Sequence, residues 1–349
     1  MRLPEPSVAA LALSIASFAP AGGILLIPDT GADKVWAFST VDGSLISNNF
    51  IPNDGRMKQV MQVAQLPGGT IVMADPGTSQ ACGTDDAVRE YTPCGQFLRT
   101  IASAANGVCN PEGICVAYGK AWFTRLYDVA SEPTPGRSAL WSFEFDGTGL
   151  TEACAPASLQ KIWGILPFGG GFMVSDSTDN NLEFVPLSCA VSPPFFQSTA
   201  SNSLQFVQQM AAMPDGGVVA AGFSTPRGLH FLDSSGAYQY TASYPTGARG
   251  VFVLENGEVL YSGGTQIKAY NPQTDLHRLI IDQSGASFRW ISRIEVCSED
   301  LNCSGAIEGA DLGVLLGNWG GAGATDLDGS GTTDGADLGM LLAAWGPCS

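Results

Sequence analysis

The sequence predicts a mainly-β protein, a six-bladed β-propeller joined to a small α-helical C-terminal module with paired EF-hand-like loops. Three observations lead there. Six short strands carrying an aromatic recur about every 40–53 residues between positions 24 and 296, the length of a four-stranded propeller blade. The 43 glycines and 21 prolines mark many tight turns, and many turns mean short strands rather than long helices. Two segments near the C-terminus repeat one another without a gap, as a duplicated structural unit does. The 349 residues are about twice an ordinary domain, a length that repeat folds reach as one unit.

From the N-terminus, Met1-Arg2 precedes an apolar stretch from Val8 to Phe18, then Ala19-Pro20-Ala21, an A-x-A site before Gly22. Residues 1–21 read as an export signal; the alternative is a buried N-terminal strand. The apolar stretch is too short to span a bilayer, and nothing later approaches that length. The mature protein is therefore expected to be soluble, secreted or at the cell surface, with no transmembrane segment. Nine cysteines fit an oxidising compartment, and none has zinc-site spacing. Cys82 with Cys94 and Cys109 with Cys115 are close enough in sequence for local bridges, and Cys154 with Cys189 is a longer candidate. Cys297, Cys303 and Cys348 bracket the C-terminal module, and one of the nine stays unpaired or pairs between chains. The net charge is −17, from 33 acidic and 16 basic residues. Such a surface repels phosphate backbones, so no nucleic-acid partner is expected, and divalent cations are its natural counter-ions.

Residues 22–296 supply the blades. Their aromatic strands are Val35-Trp36-Ala37-Phe38, Val88-Arg89-Glu90-Tyr91, Leu140-Trp141-Ser142-Phe143, Leu182-Glu183-Phe184, Leu229-His230-Phe231 and Ile267-Lys268-Ala269-Tyr270. Upstream of five of the six lies an apolar pair of strands joined by a glycine turn, as in QVAQLPGGTIVMAD and GVFVLENGEVLYSG. Continuous apolar strands with tight turns suit sheets buried on both faces. The first blade begins directly at Ile24-Leu25-Leu26-Ile27 and lacks an innermost strand, while a surplus strand, Trp290-Ile291-Ser292-Arg293-Ile294, follows the sixth. Pairing that strand into blade one closes the ring and leaves no open sheet edge.

Blade one, IPDTGADKVWAF, resembles an NHL repeat, whose second strand ends in Asp. Asp29, Asp75 and Asp176 keep that residue, whereas Arg125, Gly222 and Gly263 replace it. The aspartates read as turn-stabilising. NHL-like propellers are mostly binding platforms, with a minority of enzymes, and the resemblance implies the same here. Gluconolactonase-like propellers hold calcium with a Glu, an Asn and Asp residues at the channel mouth; Glu112 in NPEGI matches one such ligand, without matching partners in other blades. His230 and His277 read as a plain strand residue and a polar-turn residue, and no G-x-S-x-G, H-E-x-x-H or phosphate loop is present. The position just before each innermost strand is where a ligand would be met: Met61, Glu112, Trp163, Gln208, Arg249, and Arg289 or Trp290. Aromatics, Arg and Glu around a mouth suit a glycan or a peptide, unless Trp163 and Trp290 simply pack under neighbouring blades.

At the C-terminus, DLNCSGAIEGADLGVLLGNWG from Asp300 aligns with DLDGSGTTDGADLGMLLAAWG from Asp326. The first offers oxygens from Asp300, Asn302, Ser304, Glu308 and Asp311, and the backbone carbonyl of Ala306; the second from Asp326, Asp328, Ser330, Asp334 and Asp337, and the carbonyl of Thr332. These fall at positions 1, 3, 5, 9, 12 and 7 of an EF-hand loop, with Gly305 and Gly331 at the sharp turn of position 6, and calcium wants six to eight such hard oxygens. Two calcium ions are expected. Leu312, Leu315, Leu316 and Trp319, and likewise Leu338, Leu341, Leu342 and Trp345, form one apolar stripe per helix, and the two stripes are expected to pack on each other. One loop-helix unit per metal, Asp at position 12 and a tandem copy resemble a type I dockerin over residues 297–349. That resemblance implies a secreted modular protein plugging into a cohesin-like or cell-surface partner, with positions 10 and 11 helping to select it; here both pairs are Gly-Ala, Gly309-Ala310 and Gly335-Ala336. The family usually has Asp at position 5, and the serines here predict weaker calcium binding.

The expected function is therefore that of a secreted, non-enzymatic binding protein. The alternatives are a polysaccharide lyase or hydrolase with its catalytic site in the propeller, and a structural surface-layer component.

Overall fold

In the computed structural model, residues 23–78, 82–126, 138–156, 158–190, 192–199 and 202–348 are described; the proposed export signal at 1–21 lies outside them. Six antiparallel sheets follow one another along the chain, each running from an innermost to an outermost strand. Blade two shows the pattern, with strands Gln62–Gln65, Ile71–Asp75, Ala87–Tyr91 and Phe97–Ser103 in that spatial order. The innermost strands of blades three to six are Pro111–Ala117, Ile162–Phe168, Val207–Ala212 and Val251–Val253. Blade four has three strands, and a single bridge from Leu182 to Phe196 takes the place of the fourth.

Burial follows this order. Every residue of the second strands Ile24–Asp29, Ile71–Asp75, Gly171–Asp176, Val218–Gly222 and Val259–Gly263 is buried, because neighbouring blades cover both faces. Each buried Val, Leu or Ile contributes about 1.5–3 kcal/mol relative to exposure. The rim strand Leu276–Asp282 is mostly exposed. It also holds His277, a strand residue rather than the turn residue expected from sequence, whose Nδ1 lies 2.8 Å from the Tyr261 hydroxyl.

The ring closes as its pattern predicts. Ser292–Ile294 pairs antiparallel with the first strand of the chain, placing Ile24 opposite Ile294, Leu25 opposite Arg293 and Leu26 opposite Ser292. Neighbouring blades are also latched around the channel. In blade three, Thr124 Oγ1 accepts from the Gly113 amide (2.8 Å) and donates to the Trp163 carbonyl of blade four (2.6 Å). In blade six, Ser262 Oγ accepts from Gly250 (2.8 Å) and donates to the Arg289 carbonyl (2.6 Å). Glycine is needed here: a Cβ on Gly113 would lie 2.8 Å from the Trp163 carbonyl oxygen, and one on Gly250 would lie 2.5 Å from that of Arg289. Elsewhere glutamines make the link. Gln62 Oε1 accepts from Ile114 (3.0 Å); Gln209 Oε1 accepts from Val251 (2.8 Å) and Ile291 (2.9 Å), while its Nε2 donates to the Ile291 carbonyl (2.7 Å).

The three repeat aspartates are staples. Asp29 accepts from the Ser287 amide (2.8 Å), Asp75 from Lys58 and Gln59 (2.9 and 2.8 Å), and Asp176 from Gln160 (2.8 Å). Each thus holds the segment leading into the innermost strand of its own blade. Where blade five has Gly222, the ring of His230 fills the space: a Cβ there would sit 2.1 Å from His230 Nε2.

The two α-helices among the described residues, Gly309–Gly317 and Gly335–Ala343, belong to the C-terminal module. At nine residues each they are too short to persist alone. Leu315, Leu341 and Ile307 form their shared core, yet Leu316, Trp319, Leu342 and Trp345 remain 49–50% exposed. The expected stripe therefore splits. Leu312 and Leu338 pack beside the Leu315 and Leu341 contact, Leu316 and Leu342 point about 100° away from it, and both tryptophans lie beyond the helix ends.

Among the described residues the bridges are Cys82–Cys109, Cys94–Cys303, Cys154–Cys189 and Cys297–Cys348, with Cys115 free. The pairings Cys82–Cys94 and Cys109–Cys115 expected from sequence are wrong. Cys82 and Cys94 lie at opposite ends of strand Ala87–Tyr91, about 17 Å of extended chain, far beyond bridging reach. Cys109 and Cys115 are likewise separated along Pro111–Ala117. Cys94–Cys303 instead fastens the C-terminal module to blade two, while Cys297–Cys348 clasps the module's ends.

Replacing Gln209 with Ala strands two amides and a carbonyl inside the ring. At about 1–3 kcal/mol per orphaned group, denaturant unfolding is expected to show a loss of about 3 kcal/mol or more, against less than about 0.5 kcal/mol for the exposed Gln239→Ala.

Candidate functional sites

Two regions gather the residues singled out from sequence. The first is the pair of C-terminal loops. In loop one, the Asp300 carboxylate accepts from the Ser304 and Gly305 amides (2.9 and 2.7 Å), and buried Asp311 accepts from Asn302 and Glu308 (3.0 and 2.8 Å). In loop two, Asp326 accepts from Gly331 (2.8 Å) and Asp328 from Ser330 (2.9 Å). Buried Asp337 accepts from Leu327, Asp328 and Asp334 (2.6, 3.0 and 2.7 Å). Gly305 and Gly331, with φ of +87° and +98°, make the turn that a side chain would strain. The aspartates at positions 1 and 12 thus curl each loop around one centre, and the oxygens of Asp326, Asp328 and Asp337 lie within 4.8 Å of one another.

Hard, anionic oxygens at this spacing fit a calcium ion. Burial, reinforced by the nearby Asp311 charge, raises the Asp300 pKa above the ordinary carboxylate value. Against burial, the amides of Asp334, Asp328 and Leu327 hold that of Asp337 below it. In both loops the position-5 hydroxyl is turned onto the position-7 carbonyl: Ser304 Oγ donates to Ala306 (3.0 Å) and Ser330 Oγ to Thr332 (3.2 Å). Those two oxygens satisfy one another, whereas two carboxylates at positions 1 and 5 would repel. Glu308 and Asp334 sit exposed at the helix N-termini, and the Asp334 side chain caps the Ala336 amide (2.8 Å).

The second region is the channel mouth. Glu112, Trp163 and Gln208 are each the second residue of an innermost strand, Arg249 and Arg289 lie ahead of theirs, and the set sits at two depths. Glu112, Gln208 and Trp290 are 4%, 2% and 0% exposed, so Trp290 cannot touch a ligand directly as the sequence suggested. Gln208 Oε1 instead lies 3.4 Å from both Trp290 Nε1 and Arg249 Nη1. Trp163, Arg249 and Arg289 lie above, half-buried. Arg289 Nε donates to Thr30 Oγ1 (3.0 Å), and its charge favours the ionised form of Glu112. Complete burial dominates, however, pushing the Glu112 carboxyl up to about 8. Burial, and then the Arg289 charge, lowers Arg249 to about 10; burial lowers Arg289 too, with Glu112 and Asp29 opposing. Both arginines are cationic at neutral pH.

Sequence reasoning missed the aromatics beside them. Phe206 stands against Trp163 (ring centroids 4.8 Å apart) and Phe223 against Phe206 (5.7 Å), and the Arg249 guanidinium lies 4.2 Å from the Phe223 centroid. Trp163 and Phe206 line a cleft of about 530 Å³ between blades four and five. The available signal was positional, since Phe206 precedes Gln208 by two residues as Lys161 precedes Trp163.

No family model matches the chain, and no curated protein matches it. Solved structures do. A chain of the nidogen–laminin complex superposes with a TM-score of 0.61 at 12% identity, covering 79% of this chain and 100% of that one. A protein of unknown function from Bacteroides caccae gives 0.56 at 12% identity over 79% and 100%, and a putative gluconolactonase gives 0.53 at 17% over 77% and 87%. Identities this low show a shared propeller fold. Among the described residues no helix is long and apolar enough to cross a membrane; the four disulfides are consistent with export.

The raised Glu112 pKa gives a pH signature. Below its ordinary value of 4.5, folded and unfolded chains both carry the proton; between there and about 8 only the folded chain keeps it. Stability therefore falls as pH climbs through this window. Unfolding at several pH values is expected to show Glu112→Gln gaining on the native protein by several kcal/mol between pH 4.5 and pH 8.

Proposed function

We propose that this chain is an exported, non-enzymatic binding protein. Its propeller presents a ligand site at the channel mouth, and its C-terminal module binds two calcium ions and docks on a cohesin-like or cell-surface partner. The observation that carries this reading is the duplicated loop, in which paired aspartates curl the backbone around a cluster of hard oxygens. Calcium would be held by Asp300, Asn302, Ser304, the Ala306 carbonyl, Glu308 and Asp311, and by Asp326, Asp328, Ser330, the Thr332 carbonyl, Asp334 and Asp337. It would supply the charge that gathers these carboxylates without repulsion. The docking half is supported by the matched pairs Leu316 with Trp319 and Leu342 with Trp345, about half exposed. An exposed apolar pair repeated at the C-terminal end of both helices is the kind of patch a partner covers.

The rival reading is a glycan-active enzyme, and the observation favouring it is Glu112, a buried carboxyl that holds its proton near neutral pH. Glycoside hydrolysis needs a second free carboxylate nearby. The carboxylates whose charges reach Glu112 are Asp86 and Asp75. Asp75 is committed to the amides of Lys58, Gln59 and Gly77 and to Arg89, while Asp86 takes the Asn110 and Gly83 amides on one oxygen and keeps the other buried without a partner, away from any channel-mouth solvent. Binding is the better supported role.

Calorimetric titration of calcium into the intact chain is expected to show two sites. Asp326→Ala and Asp300→Ala should each remove one, while the β-sheet circular dichroism signal stays unchanged. Absence of binding to the native chain would sink the calcium reading.

A further inference from the structure

The cleft between blades four and five carries a charge opposite to that of the protein. The chain has 33 acidic and 16 basic residues, yet the cleft is lined by Gln160, Lys161, Trp163, Asn180, Gln205 and Phe206, with three hydroxyl residues and no carboxylate. Its volume of about 530 Å³ is in the range of small-ligand sites. From it the aromatic row Trp163, Phe206, Phe223 leads to Arg249, whose guanidinium lies on the last ring. Beside it stands Arg289. The two are anchored at one point, for the Arg249 amide donates to the Ser262 carbonyl (2.8 Å) while the Ser262 hydroxyl donates to the Arg289 carbonyl (2.6 Å). Arg249 Nε is buried without a hydrogen-bond partner, and two cations held this close repel each other. Buried Glu112, largely protonated at neutral pH, does little to neutralise them.

We propose that this mouth binds an acidic polysaccharide, with sugar faces lying on Trp163 and Phe206 and a carboxylate received by Arg249 and Arg289. The proposal rests on the reading above that the propeller presents a ligand site. Flat rings stack on the apolar faces of sugars, side-chain amides such as Gln160 and Gln205 both donate and accept as sugar hydroxyls do, and guanidinium matches carboxylate. An acidic peptide fits less well, because extended peptides add to a free strand edge, and here side chains of two closed blades form the walls. The overall negative charge opposes any polyanion at long range, as it does nucleic acid, but exposed charges are screened beyond about 8 Å at physiological salt, and at contact the cleft offers Lys161 and no carboxylate. The backbone is strained at this place too: Phe206 and Asn180 have φ of +52° and +57°, and the Asn180 side chain accepts from the Phe206 amide (2.9 Å). Such conformations cost about 1–3 kcal/mol and collect at ligand sites.

The test is calorimetric titration of the full chain with short oligogalacturonates, their methyl esters and polyglutamate. The acid is expected to bind at least about tenfold more tightly than either comparator. Arg249→Gln should lose about tenfold toward the acid alone, Arg249→Lys should lose less, and Trp163→Ala should weaken acid and ester together, all with native melting temperatures. Equal binding of the methyl ester would overturn the acidic specificity and leave a neutral-glycan site standing. Equal binding of polyglutamate would overturn the glycan class. Binding of none of the three would remove both this inference and the ligand site beneath it.

Discussion

Everything in the propeller depends on one pairing, that of Ser292–Ile294 with the first strand of the chain. It joins residues about 270 positions apart, so its loop-closure entropy is met only when all six blades are in place. The segment just before it carries the site: Arg289 donates its amide to the Pro28 carbonyl (2.8 Å) and Trp290 to the Met61 carbonyl (3.1 Å). The lead-in to closure therefore also positions the channel-mouth arginine. Gln209, which holds Ile291 from blade five across blade six, is adjacent in sequence to Gln208 beside Arg249. Closure and the candidate ligand site are two uses of the same residues.

The C-terminal module is bound to this ring more tightly than a tail would be. Cys303, at position 4 of the first loop, is bonded to Cys94 in a turn of blade two. A Cβ on Gly305 would come within 2.9 Å of the Gly68 carbonyl oxygen of the same blade. Loop one is thus fixed on the propeller, and its Asp300 is buried where the matching Asp326 of loop two is only half-buried. Two loops of matching sequence sit in different surroundings, and that asymmetry separates their proposed calcium affinities: the first is preorganised by a covalent tie, the second by its hydrogen bonds alone.

Much of this was legible in the sequence, for definable reasons. The blade count came from aromatic strands whose period reflects a repeated geometry, and closure from a missing strand at one end and a surplus at the other. The residues singled out at the starts of the innermost strands do lie at those starts, some just inside the strands and some ahead of them. Their depth was not legible: Phe288 faces Asp29 as Ile162 faces Asp176, so half-buried Arg289 is the counterpart of half-buried Trp163, and Trp290, one residue further on, is turned inward at 0% exposure. The bridges failed for the same reason: separation along the chain favoured Cys82 with Cys94, but a strand lies between them. The helical stripe was read as one face although nine-residue helices bury only one turn of it. The latches by Thr124, Ser262 and Gln209 carry no motif; they follow from close backbone approach between blades, which only coordinates display.

Hydrogen exchange of the intact chain with calcium and with a chelator tests the two-part account most directly. Protection of the innermost and second strands of every blade is expected to be unchanged by chelation, while amides of residues 300–343 lose protection, loop two before loop one. Unchanged exchange across 300–343, or loss of protection spreading into Ile24–Asp29 and Ser292–Ile294, would contradict it.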